Sequence, residues 1–224
     1  TATTFCNGGS VIINANTGTG LTYQWLRNNT IIASATNASY TADTTGNYRV
    51  LVTNTSGCKD TSTAVAVTEN SIPTITSSTP ASRCGTGTVA LTAAASAGTI
   101  NWYAAATGGT SLATGTSFTT PSIATTTTYY VDATANGCTT ATRTAVAATV
   151  NALPTATATA AGSTTLCTGG SVVINANTGT GLTYQWLNNN APIASATNAS
   201  YTANAAGSYR VLVTNTNNCK DTST

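Results

Sequence analysis

The chain has 224 residues and a formal net charge of +2, with 5% charged residues and no histidine. An average soluble protein carries about 25% charged residues. That balance excludes a basic nucleic-acid binder and an acidic tail, and it supplies no steering field. No apolar run approaches the roughly 18 residues that a membrane-spanning helix needs. Regularly placed Val, Ile, Tyr and Trp also set the chain apart from a disordered Thr- and Ala-rich tract.

Five residues after Cys6, the positions Val11, Ile13 and Ala15 alternate with polar ones. Period two predicts a strand with one buried face. The next strand is "LTYQWL", with Leu21, Tyr23 and Trp25 on one face. In "YRVLV" the inward residues are Tyr48, Val50 and Val52, and Arg49 and Leu51 point out. A last strand, "TAVAVT", is expected to place Val65 inside. Turn clusters such as "NTGTG", "RNNT" and "DTTGN" lie between these strands. The same grammar follows Cys84: Val89, Leu91 and Ala93, then Ile100, Trp102 and Ala104, then "YYVDA", with Tyr129 inward and Tyr130 and Asp132 outward. "TAVAAT" closes it, with Val146 inside. Short strands at regular spacing with Gly and Asn turns predict a β-sandwich or barrel. Helical periodicity is found nowhere.

The third segment repeats the first. Cys6–Thr63 aligns without a gap to Cys167–Thr224, and of 58 positions eleven differ. Similarity at a fixed spacing marks a repeat protein. Three units are expected, at 1–70, 71–151 and 152–224, with Pro73 and Pro154 marking short, semi-rigid connections. The first copy continues past Thr63 as "AVAVTEN", whereas the third segment reaches Thr224 before that strand. The sequence therefore reads as a stretch of a longer array. Its third domain is expected to lack the final strand, and its first to lack part of its start.

Six cysteines fall at Cys6 and Cys58, Cys84 and Cys138, Cys167 and Cys219. Short C-x-x-C spacings are absent, and with no histidine a zinc site is not expected. Six cysteines allow fifteen pairings. The repeat selects Cys6–Cys58, Cys84–Cys138 and Cys167–Cys219, one bridge inside each unit. Each would stabilise its unit by roughly 4 kcal/mol in the chain-entropy model. Disulfides persist in oxidising places, so the protein is expected outside the cell or on its surface.

A Trp in the third strand followed by "DTTGNYRV" resembles the immunoglobulin fold, with Asp43, Gly46 and Tyr48 in the places of its tyrosine-corner motif. One extra residue separates Asp from Gly, and the cysteines lie outside the second and sixth strands. The phrases "CxGGSVxINAN…YQWLxNN…GxYxVxVTNxxxC" and "GTINWYxAATGG…TTTTYYVDATxNGC" resemble immunoglobulin-like repeats of large secreted and surface proteins of Bacteroidota. The resemblance covers nearly the whole chain. It implies an all-β chain of three tandem immunoglobulin-like β-sandwich domains in an extended array. Such repeats occur in gliding and adhesion proteins exported by the type IX system, and as accessory modules beside enzymes.

Catalysis is not expected. Without histidine no Ser-His-Asp or Cys-His arrangement can form. The acids Asp43, Asp60, Glu69, Asp132 and Asp221 are scattered over three units, which suits neither a glycosidase pair nor a calcium site. No cofactor and no metal are expected. The fold places all three tryptophans in the core. Tyr103 and Tyr130 are expected to face outward on adjacent strands, as a platform for a sugar or as a cross-strand pair that only stabilises the sheet. Asp43-Thr44-Thr45 resembles the D-(S/T)-x signal for O-glycosylation in Bacteroidota, which makes Thr44 a candidate; the other copy has Ala205 there. Near-identical copies multiply length or valency. The expected function is thus a stalk or fibre segment of an adhesive surface protein. The alternatives are a spacer in a secreted carbohydrate-active enzyme and a glycan-binding module. The expected partners are neighbouring repeats of the chain, like chains in a bundle, and surface polysaccharide, with no nucleic acid and no membrane insertion.

Overall fold

A computed structural model describes residues 3–224. The first copy forms β1 (Thr4–Cys6), β2 (Val11–Asn14), β3 (Thr22–Arg27), β4 (Thr30–Ile31), β5 (Ser39–Ala42), β6 (Gly46–Thr53), β7 (Lys59–Thr61) and β8 (Val65–Asn70). One sheet has the order β1-β8-β6-β3-β4, with β7 also on β6; β2 and β5 make the other. Alternation decides what each sheet buries. Val11, Ile13 and Ala42 from the small sheet meet Phe5, Trp25, Tyr48, Val50 and Val67 from the large one, all buried. At roughly 1.5–3 kcal/mol per large apolar side chain, this layer is the main stabilising element. The β3–β4 hairpin turns on Asn28 and Asn29, with φ of 51° and 66°. That left-handed pair suits a two-residue turn, and Asn tolerates it.

The middle segment forms β9 (Ile75–Thr79), β10 (Ala81–Cys84), β11 (Ala90–Ala95), β12 (Thr99–Tyr103), β13 (Ala113–Thr114), β14 (Ser117–Thr119), β15 (Thr127–Ala135), β16 (Cys138–Thr139) and β17 (Thr144–Asn151). β12 pairs antiparallel with β15, Trp102 opposite Val131. Trp102 stacks on Phe118, which meets Tyr129 edge-on. By Cα proximity the chain divides into two compact units. One holds Thr1–Thr79, Thr92–Phe118 and Tyr129–Val146, and the other holds Pro80–Leu91, Thr119–Thr128 and Ala147–Thr224. The middle segment contributes to both.

The third segment forms β18 (Ala158–Ala160), β19 (Val172–Ala176), β20 (Thr183–Asn188), β21 (Ala191–Pro192), β22 (Ser200–Ala203), β23 (Tyr209–Thr214) and β24 (Lys220–Thr222). Sheets β18-β19-β22 and β21-β20-β23-β24 enclose Ile174, Trp186, Ala203, Val211 and Val213. It departs from the first copy where β8 would lie. In the first copy Gly46, Asn47 and Tyr48 pair with Val67, Ala66 and Val65. In the third segment β23 begins at Tyr209, so the counterparts of Gly46 and Asn47 lie outside it, and the counterpart of β1 is not a strand. A cleft of about 590 Å³, lined by Leu166, Val172 and Tyr209 among others, occupies the place. Leu166 is 38% exposed, against 8% for its counterpart Phe5.

Two expectations about facing are corrected. Val65 is 36% exposed whereas Val67 is 1% exposed. β8 enters its sheet at Val65, so that side chain sits at the rim of the core and Val67 fills it. Asp132, expected outward, is 4% exposed because a cation covers it.

Candidate functional site

The cysteines make the chain's most distinctive chemistry, and their pairing differs from the expected one. The disulfides are Cys6–Cys138 and Cys84–Cys219, with Cα–Cα distances of 5.6 and 5.4 Å. Cys58 and Cys167 are free and exposed. The expected bridges Cys6–Cys58, Cys84–Cys138 and Cys167–Cys219 are therefore not formed. The strand directions explain why. β1 runs parallel to β8 with Cys6 opposite Asn70, at the end where β6 begins. Cys58 lies in the β6–β7 hairpin, beyond the end of β6. The eight residues of β6 separate these ends by about 25 Å, and a disulfide needs Cα atoms within about 7 Å. In the third segment, likewise, Cys167 lines the cleft beside Gly207 and Tyr209, at the start of β23. Cys219 follows that strand's far end. Each copy thus carries one cysteine at each pole, and bridges join segments rather than closing them.

Local chemistry holds both kinds of cysteine in place. Cys6 and Cys84 each end a strand in parallel register, opposite Asn70 and Asn151 respectively. Cys138 leaves a two-residue turn, Asn136-Gly137, with φ of 50° and 80°. Beside the first bridge, Asn70 Nδ2 donates to the Asn136 carbonyl at 3.1 Å, and Thr140 Oγ1 donates to the Pro73 carbonyl at 3.1 Å. Beside the second, Asn215 Nδ2 donates to the Ala152 carbonyl at 2.9 Å. Asn215 Oδ1 also accepts from the amides of Asn217 and Cys219, at 3.0 Å each. Both hairpin cysteines are sealed, with Cys138 1% and Cys219 0% exposed.

The tryptophans are core residues: Trp25, Trp102 and Trp186 are 2% exposed or less. Each indole donates to a backbone carbonyl at 2.9 Å, of Asn37, Gly115 and Asn198 respectively. Tyr48 Oη donates to the Thr44 carbonyl at 2.8 Å, the corner contact that the sequence motif implies. Burial pushes the phenols of Tyr48 and Tyr129 above their usual value of 10.0.

Tyr103 and Tyr130 lie directly opposite each other on β12 and β15. They do not form an open platform, because the Arg143 guanidinium lies 3.2 Å from the centre of the Tyr103 ring. The same guanidinium binds Asp132 Oδ2 through Nε at 3.2 Å. Its Nη1 donates to the carbonyls of Ala105 at 2.8 Å and Gly108 at 2.7 Å. Asn101 Nδ2 donates to the other oxygen of Asp132 at 2.9 Å. This Asp132–Arg143–Tyr103 cluster was not legible as a pair in sequence. The signal was an Asp on β15 and an Arg just before β17, in a chain with few charges. Thr44 is exposed, and its Oγ1 donates to Asp43 Oδ1 at 3.0 Å. Among the described residues no cluster of three or more His, Cys, Asp or Glu is placed to hold a metal ion. No helix among them is long and apolar enough to cross a membrane.

Two sheets enclosing a buried tryptophan, with a tyrosine corner, define an all-β immunoglobulin-like sandwich fold, here in tandem. Residues 71–152 match the family described as "Ig-like domain CHU_C associated". Among solved structures, the titin fragment I67–I69 in an E-to-A variant is similar at a TM-score of 0.53. It is 13% identical, and the match covers 98% of this chain and 92% of that one. The I-band fragment I67–I69 from titin gives 0.50 at 12% identity with the same coverage. These likenesses show the fold alone. No curated protein matches the sequence.

Proposed function

We propose that the chain is a structural repeat segment, a stalk or fibre, of a long bacterial surface or secreted protein of the gliding or attachment type. In this reading residues 1–70, 71–151 and 152–224 are three immunoglobulin-like domains. The observation that carries it is the covalent joining of successive repeats through Cys6–Cys138 and Cys84–Cys219. A bridge across a junction does little for a single binding site, but it fixes the connection between modules that must act as a length. The low charge and the near-identical copies fit the same role, since copies of one geometry add reach and valency. The disulfides suit an oxidising exterior.

The test is antibody labelling of intact source cells with serum raised against this segment, combined with deletion of the repeats from the gene. Surface label, with attachment or gliding reduced as repeats are removed, is expected. Label confined to the cell interior would overturn the reading. A secreted glycan hydrolase that keeps its activity when only the repeats are deleted would favour the spacer role instead.

A further inference from the structure

We propose that Cys58 and Cys167 are the two unused valences of the same junction, and that each is built to bond the complementary cysteine of another repeat of this design. The occupant is the first-strand pole of one repeat against the hairpin pole of the next. In the protein at hand that pair is Cys167 of one copy and Cys58 of a second.

The two free cysteines are equivalent, within the molecule, to two that are bonded. Cys58 is the counterpart of Cys219, which is bonded, and the two hairpins share one geometry. In the first copy Asn54 Oδ1 accepts from the amides of Ser56 at 3.0 Å and Cys58 at 2.9 Å. That is the pattern of Asn215 with Asn217 and Cys219. The flanking register matches too: Val52 and Thr53 face Asp60 and Lys59, as Val213 and Thr214 face Asp221 and Lys220. Cys167 is the counterpart of bonded Cys6. The Gly170 amide donates to the Cys167 carbonyl at 2.9 Å, as Gly9 does to Cys6 at 2.8 Å.

The surface around Cys58 supports this independently of the thiol. Cys219, Val213 and Ser223 are 0%, 0% and 2% exposed. Their counterparts Cys58, Val52 and Ser62 are exposed, half-buried and half-buried. A recess of about 290 Å³, lined by Leu21, Val52, Asn54 and Cys58 among others, opens beside them. The first copy thus presents, uncovered, the pole that the third copy has sealed around its bridge.

Bond formation is an oxidation, and the oxidant is a small-molecule disulfide, R–S–S–R. One protein thiolate attacks it, making a mixed disulfide and releasing one R–S⁻. The second protein thiolate then displaces the other R–S⁻. Two protein thiols and one R–S–S–R become one protein disulfide and two R–SH, the thiol protons passing to the leaving groups.

The inference rests on the tandem-repeat reading but not on any adhesive role. The test uses the 224-residue chain with Cys58→Ser or Cys167→Ser, incubated with oxidised glutathione. Both positions are exposed, so serine is accommodated. Each variant alone should stay monomeric on non-reducing gels. Mixing the two should give a dimer, mapped to Cys167–Cys58, at least ten-fold over either homodimer. The unsubstituted chain should form a ladder. Homodimers as abundant as the mixed dimer would show indiscriminate thiol oxidation and overturn the proposal. So would no dimer in the mixture while Cys6–Cys138 and Cys84–Cys219 map intact. Mapping those two bridges separately tests the junctions themselves. In protein from the native source, bridging at unchanged chain mass places the partner in the same chain, and a ladder places it in a second copy. Free Cys58 and Cys167 there would refute the proposal.

Discussion

Replacing Arg143 with alanine should loosen the middle segment more than any other single surface-side change. The guanidinium is 14% exposed and its partner Asp132 is 5% exposed, counting side chains. Removing one member of a buried pair costs about 3–5 kcal/mol, because the other charge is left without its partner. Asp132 keeps the hydrogen bond from Asn101, and the Ala105 and Gly108 carbonyls can turn to water. The lower end, about 3 kcal/mol, is therefore expected. At 1.36 kcal/mol per decade, that is roughly a 100-fold faster amide exchange where protection is set by opening of this region. Hydrogen exchange read by mass spectrometry on peptides covering 99–103 and 127–135 measures it directly. The double variant Asp132→Asn with Arg143→Met should recover much of the loss, since no unpaired charge remains. Arg210→Ala, at an exposed position of the third copy, should change exchange there less than about three-fold. If Arg143→Ala accelerated exchange by under five-fold, the cluster would be a surface ion pair of little worth, and the reasoning would fail.

Tyr48→Phe removes the hydrogen bond to Thr44 and should destabilise the first copy by about 1 kcal/mol, read by urea titration. Because burial raises the phenol pKa of Tyr48 and Tyr129 above 10.0, their stabilising contribution is complete below that value. It should fall as pH rises through the higher folded value. Alkaline titration followed at the tyrosinate absorbance should find these two among the last to ionise. Extending the chain past Thr224 with the counterpart of Ala64–Asn70 should fill the third-copy cleft. Burying the equivalent of Val67 contributes roughly 2 kcal/mol, and exchange at Leu166 and Tyr209 should slow toward that at Phe5 and Tyr48; unchanged exchange would show the strand to be dispensable. Mass spectrometry of native protein is expected to find a glycan on Thr44 and none at Ala205, and a bare Thr44 would retire that site.

Much of the fold was legible because the sequence alternates strictly. Val11 and Ile13, Trp25, Tyr48 and Val50 are buried where period two places them, and the copy at Cys167 reports the same grammar a second time. The tyrosine corner was readable from Asp43, Gly46 and Tyr48, because its contact is local. The disulfides were not. Two cysteines in one repeat look like partners in a linear alignment, but whether they meet depends on which ends of the strands they occupy. That is fixed by the parallel pairing of β1 with β8. Val65 misled for a related reason: alternation assigns a face, and only the sheet's extent decides whether that face is covered. Asp132 was read as outward, and its strand does point that way. Its burial comes from Arg143, which reaches it from outside the strand pattern altogether.

The two bridges also decide how the chain answers a pull on its ends. Fully drawn out without them, it would reach about 750 Å at roughly 3.4 Å per residue. With them, load entering near Thr1 crosses at Cys6 to Cys138, runs back along the chain to Cys84, and crosses again to Cys219. The stretches from Cys6 to Cys84 and from Cys138 to Cys219 run in parallel with that route. Both are longer, so they stay slack. The taut length falls to about 230 Å. Between Cys6 and Cys219 only residues 84–138 carry force, so the packing around Trp102 yields while that around Trp25 and Trp186 is shielded.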